Sequence, residues 1–171
     1  MRAKEVAFAG LFAALTAVGA QISIPIGPVP VTLQVLFVLM SGLILGARLG
    51  LLSQLVYVVM GAVGLPVFAN FHGGFAVIYG PTGGYIVAFP IAAYLAGLFT
   101  ERLGRRGMLI GSILGVGVIY LLGWLRLGLF MGGDFEKAFL LGVVPFLPVD
   151  AVKAVVAIVI ADRVRKAVEI G

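Results

Sequence analysis

Cysteine is absent from the 171 residues, which removes disulfides, thiolate metal sites and thiol catalysis. Histidine is nearly absent. The lone His72 has no companions from which a zinc or haem site is assembled. Charge is scarce too: 7 acidic and 12 basic side chains make up 11% of the chain, against about 25% in an average soluble domain. What fills the space instead is apolar. Hydrophobic residues make up 62% of the sequence, and mean hydropathy is +1.20. A bilayer-spanning helix takes about 20 apolar residues, so six spans use about 120 positions and leave about 50 for loops and ends. A nucleotide-binding or catalytic domain does not fit beside them. The expectation is an all-α membrane protein, a single transmembrane domain over residues 1–171 whose function lies in or just outside the lipid bilayer. The net charge of +5 points to nucleic acid only where basic residues cluster on one face. Here they are scattered between apolar stretches, so no nucleic acid is expected.

Six apolar stretches stand between charged or Gly/Pro-rich punctuation, at residues 5–23, 31–46, 49–65, 83–100, 108–128 and 138–161. The second and third are short and meet at the tight Gly46-Ala47-Arg48 corner. The first, with Arg2 and Lys4 ahead of it, has the look of a secretory signal. With five further apolar stretches it reads better as a retained helix. Lys and Arg concentrate on cytoplasmic loops. With both termini cytoplasmic, that side receives Arg2, Lys4, Arg48, Arg102, Arg105, Arg106, Arg163, Arg165 and Lys166, which is 9 of the 12 basic residues. The outer side receives Arg126 and Lys137, while Lys153 falls inside the sixth stretch. A six-transmembrane-helix bundle in the plasma membrane follows.

Seven of the eight prolines then fall on the outer side. Two outer segments, from Gln21 to Pro30 and from Leu65 to Gly84, are too apolar for solvated loops. Non-helical backbone at membrane depth is tolerated where it is buried in protein or lines a cavity. The segments therefore read as loops folding over an outward pocket rather than as plain connectors.

The most informative residues are Asp150 and Lys153. Standing at i and i+3, they project from one face of the sixth helix. A charge at a span centre costs about 2.5–3.5 kcal/mol on insertion scales, and intramembrane ionisable groups mark function by default. Two readings stay open here. The pair neutralises itself as a structural lock, or Lys153 meets an anionic group while Asp150 accepts from N–H donors. A ligand suited to the second has a carboxylate or urea-like head on an apolar body. In Gly80-Pro81-Thr82-Gly83-Gly84-Tyr85, Thr82 suits the N-cap of the fourth helix. Gly83 and Gly84 permit close backbone approach to a ligand, and Tyr85 adds an aromatic face with a polar tip. Gln34, Asn70, His72 and Trp124 are further polar or amphipathic groups near the outer side. Ala9, Ala13 and Ala17 form a small-residue stripe, as do Gly42, Gly46 and Gly50, and Gly111 with Gly115. Such stripes let helices approach closely in lipid. No Ser-His-Asp set exists, and Asp150 lacks the second intramembrane aspartate that an aspartyl protease requires. What remains is binding or transport, without a cofactor.

These residues also resemble a known family. Gln21-Ile22-Ser23-Ile24-Pro25, continuing through Gly27-Pro28-Val29-Pro30-Val31-Thr32-Leu33-Gln34, is similar to the N-terminal signature of BioY proteins. Gly64-Leu65-Pro66-Val67-Phe68, the Gly80–Tyr85 run, and Asp150 with Lys153 resemble three further signatures, in order along nearly the whole chain. BioY proteins are the biotin-specific S components of energy-coupling factor (ECF) transporters. The resemblance implies six helices, both termini cytoplasmic, and a loop-roofed biotin pocket near the outer face. It implies substrate contacts from Asp150, Lys153, Tyr85 and Asn70; Gln34, Gly83 and Gly84 complete the candidate site from the residue reading above. The partners implied are a transmembrane coupling subunit, docked through Ala9 and Ala13, and two ATPase subunits that hydrolyse ATP. An S component for another vitamin, or a stand-alone biotin facilitator, is the alternative of the same architecture.

Overall fold

The computed structural model describes residues 2–168. Helix α1 (Ala3–Gln21) starts where the Glu5 carboxylate accepts the Arg2 backbone N–H at 3.2 Å. It leads into a two-stranded antiparallel hairpin, β1 (Ser23–Ile24) and β2 (Val31–Thr32), with Ser23 opposite Thr32. Part of the expected irregular outer segment is thus paired backbone. Helices α2 (Gln34–Leu45) and α3 (Ala47–Ala62) follow, then a short helix α4 (Phe75–Tyr79) within the second outer segment. The long helices α5 (Gly83–Leu103) and α6 (Arg105–Phe130) come next, then α7 (Phe135–Gly142) and α8 (Leu147–Val168).

Four stretches are long and apolar enough to cross a membrane: α1, α5, α6 and the α7–α8 stretch Phe135–Ala167. Helices α2 and α3, with 12 and 16 residues, are apolar but shorter. The sixth apolar stretch is not one helix. Between α7 and α8 the chain passes through a 3-10 turn, Val144–Phe146. Pro145 and Pro148 explain the break, because proline lacks the N–H donor and disfavours helical backbone in the residue before it. Helix α8 therefore begins at Leu147 and carries Asp150 in its first turn.

The α2–α3 corner turns on Gly46, whose φ of 94° suits glycine. No side chain at the corner caps α3; the Glu101 carboxylate of α5 accepts the Ala47 N–H at 2.8 Å instead. Arg165 of α8 donates to the Leu43 carbonyl at 2.6 Å, and Arg105 pairs with Asp162 at 3.3 Å. The α2–α3 corner, the α5–α6 corner and the end of α8 thereby meet at one end of the bundle. That end carries most of the basic residues. At Gly42 an added Cβ would strike the Ala93 carbonyl of α5, so the Gly42 stripe is a helix-packing surface.

Helix α5 is the central post, packed along α6 and against α2 and α3. Toward the basic end, Leu39, Leu43, Met108, Ala157 and Ala161 fill the core. Toward the other end, Tyr57, Phe68, Phe89, Ile119 and Phe146 gather in a second cluster. A cavity opens against that second cluster.

Candidate functional site

The cavity holds about 430 Å³, within the range of small-molecule sites. The hairpin turn (Pro28, Val29) and the 68–82 segment roof it, and Phe89, Ile119 and Phe146 make its apolar walls. It lies at the end of the bundle opposite the basic corners.

Two charged residues face this apolar space, Asp150 and Lys153, with side chains only 5% and 8% exposed. One helical turn apart on α8, they bring Lys153 Nζ to 3.2 Å from Asp150 Oδ1. Lys153 also donates to the Thr32 carbonyl, which pins the hairpin to α8. The Tyr120 hydroxyl of α6 donates to Asp150 Oδ2 at 2.5 Å. Asp150 Oδ1 is buried and accepts no hydrogen bond. The lysine is near enough to attract it but lies off the hydrogen-bonding direction. Buried polar atoms are nearly always partnered, so this oxygen, on a residue of the cavity lining, is an acceptor without a hydrogen bond of its own.

The remaining polar groups are largely committed to the scaffold. Gln34 accepts from the Thr32 hydroxyl at 2.8 Å and donates to the Tyr57 hydroxyl at 2.7 Å. Tyr57 passes its own proton to the Val67 carbonyl at 2.8 Å. One chain of bonds thus ties hairpin, α2, α3 and the second outer segment. The Tyr85 hydroxyl donates to the Gly142 carbonyl at 2.7 Å, so this tyrosine lines the cavity but its donor is spent. Gln21 grips the 68–71 turn, donating to the Phe68 carbonyl at 2.9 Å and accepting from Phe71 N–H at 2.8 Å. At that turn Asn70 and Phe71 both have positive φ, 60° and 58°. This conformation is uncommon for asparagine and an outlier for phenylalanine. Asn70 and His72 line the cavity from this turn. Trp124 is not in the lining; it donates to the Phe135 carbonyl at 2.7 Å.

Five of the substrate residues expected from the sequence, Asp150, Lys153, Tyr85, Asn70 and Gln34, come together around one cavity. Gly83 and Gly84 do not line it. A Cβ at Gly83 would collide with the Ile78 carbonyl, and one at Gly84 with the Leu122 carbonyl of α6. Both glycines let α5 start tight against its neighbours. Ala9 and Ala13 are likewise turned inward, 3% and 1% exposed, with the Ser53 hydroxyl donating to the Ala9 carbonyl at 2.8 Å. The outward small residues of α1 are Ala3, Ala7, Gly10 and Ala14. Sequence reasoning passed over Tyr120, Thr32 and the wall aromatics. Tyr120 had one available signal, a hydroxyl in the middle of an apolar span, which needs a partner there.

A family model described as BioY family matches residues 1–170. A probable biotin transporter BioY of Pyrococcus horikoshii is 56% identical over 165 residues, covering 96% of this chain and 98% of that protein. The biotin transporter BioY of Thermotoga maritima is 48% identical over 159 residues, with coverages of 92% and 94%. A crystal structure of the S-component for biotin from an ECF-type ABC transporter superposes with a TM-score of 0.88 at 30% identity. It covers 95% of this chain and 91% of that one.

Proposed function

The chain belongs to the BioY family, and on that premise we propose that it is the biotin-binding S component of an ECF-type uptake transporter. It captures the vitamin and performs no chemistry on it. The observation that carries the reading is the unbonded Oδ1 of Asp150, on a residue that lines an otherwise apolar cavity beside Lys153 and Tyr120. Biotin is an apolar body with a ureido ring at one end and a carboxylate at the other. A ureido N–H donates to Asp150 Oδ1, the fused rings lie against Phe89, Ile119 and Phe146, and the carboxylate extends toward the Asn70–His72 turn. Since Asp150 and Lys153 neutralise each other, the ureido ring meets a polar but uncharged end.

In the membrane the chain spans six times with both termini cytoplasmic, and the cavity opens outward. The meeting of the basic corners at one end of the bundle and the roofing loops at the other supports this orientation. At about 1.5 Å per residue α2 is about 18 Å long, short of the roughly 30 Å hydrocarbon core; the hairpin completes its crossing. The coupling subunit docks on the outward face of α1, along Ala7, Gly10 and Ala14, and two ATPase subunits supply the energy for inward release. An added Cβ at Gly10 meets nothing within 4 Å, which supports a face left open to another helix.

Calorimetric titration of the purified protein tests the reading, with biotin, dethiobiotin, thiamine and riboflavin as ligands. Biotin binds and the two unrelated vitamins do not; Asp150→Asn and Lys153→Met weaken biotin. Absence of biotin binding at micromolar concentration removes the assignment.

A further inference from the structure

We propose that Tyr120 is a positioning residue: its hydroxyl turns the Asp150 carboxylate so that one oxygen stays free for the ligand's N–H. This rests on the reading that biotin occupies the cavity beside Asp150. Two groups flank the carboxylate, and each makes one hydrogen bond. Lys153 directs one N–H to the Thr32 carbonyl and makes no hydrogen bond to the carboxylate that it pairs with. Tyr120 donates to Oδ2 at 2.5 Å, a length typical of a charge-assisted O–H···O⁻ bond. Oδ1 is left 3.2 Å from the ammonium, buried and without a hydrogen bond, on a residue of the cavity lining.

Without the Tyr120 hydroxyl nothing opposes rotation of the carboxylate toward Lys153. Both oxygens then turn to the ammonium, and the acceptor left without a hydrogen bond is taken up. The other two tyrosines at or near the cavity cannot substitute. The hydroxyl of Tyr57 is given to Val67 and that of Tyr85 to Gly142. Tyr120 comes from α6 and Asp150 from α8, so the bond also fixes the spacing of the two helices that carry the polar end of the site. In this reading Tyr120 acts through Asp150, and the ligand reads only the carboxylate.

The experiment is a titration series on the purified full chain, wild type, Tyr120→Phe, Asp150→Ala and the double variant. Each is titrated with biotin and with a biotin analogue methylated at the ureido nitrogens. Tyr120→Phe should lose about tenfold to a hundredfold in biotin affinity, the scale of a hydrogen bond to a charged group. The double variant should bind no more weakly than Asp150→Ala alone, because the tyrosine has nothing left to position. The methylated analogue, which has no N–H for Oδ1, should bind wild type and Tyr120→Phe alike. 4-Aminophenylalanine incorporated at position 120 keeps a donor at nearly the same reach and should recover part of the loss; it carries the test should Tyr120→Phe not fold. The proposal is overturned by Tyr120→Phe binding biotin as wild type does, or by the same loss appearing again in the Asp150→Ala background. Equal biotin affinity for wild type and Asp150→Ala is a different result, and it removes the underlying site reading along with the inference.

Discussion

Replacing Lys153 with methionine tests whether the charged pair is buried as the structure has it. Methionine matches the alkyl stem of the side chain but removes the ammonium, and with it the bond to Thr32 and the partner of Asp150. The carboxylate, 5% exposed, keeps only the Tyr120 hydroxyl. Breaking a buried pair by removing one member costs about 3–5 kcal/mol, whereas replacing both members with apolar groups is often neutral. Lys153→Met alone should therefore melt well below wild type, and Lys153→Met/Asp150→Leu should recover most of that loss with one more substitution. Biotin binding should be impaired in both. The unique tryptophan, Trp124, lies outside the cavity lining and reports thermal unfolding in detergent without competing with ligand. Identical melting of the single and double variants would refute the reasoning, since it means that water already solvates the pair.

Other substitutions separate scaffold from surface. Ala13→Leu overpacks a closed contact and should cost about 1–3 kcal/mol in stability, while Ala14→Leu, on the outward face, should leave melting and biotin affinity unchanged. The same Ala14→Leu should reduce co-purification with the coupling subunit; full co-purification would move the docking surface elsewhere. Tyr85→Phe loses a hydroxyl spent on Gly142, so stability should fall by about 0.5–1.5 kcal/mol with biotin affinity within about threefold of wild type. Gly46→Val places a β-branched side chain at φ 94° and beside Glu101, and should destabilise by at least about 1–3 kcal/mol, read from the same thermal melts.

The helices were legible because long apolar runs separated by basic corners admit few other arrangements. Their ends were less so. Pro145 and Pro148 cut the last apolar stretch into two helices, a break that hydropathy does not register. Asp150 and Lys153 stood out because charge is so rare here, and their i, i+3 spacing alone put them on one face. Tyr120 did not stand out. Its role depends on α6 and α8 being neighbours, and nothing local encodes that. The alanine stripe of α1 illustrates a second limit. In water, polarity tells the outside of a helix from the inside. Helix α1 exposes Val6, Leu11 and Val18 as readily as it buries Ala13, so the sequence marks a smooth stripe without saying which way it faces. Gly83 and Gly84 were ambiguous for a related reason, since close approach to a ligand and to another helix call for the same residue.

A structure determined with biotin bound tests the central claim most directly. The account predicts a ureido nitrogen within about 3.2 Å of Asp150 Oδ1, with Tyr120 still on the other oxygen and Lys153 still on the hairpin carbonyl. Biotin lying elsewhere, or a carboxylate turned away from it, would contradict the account.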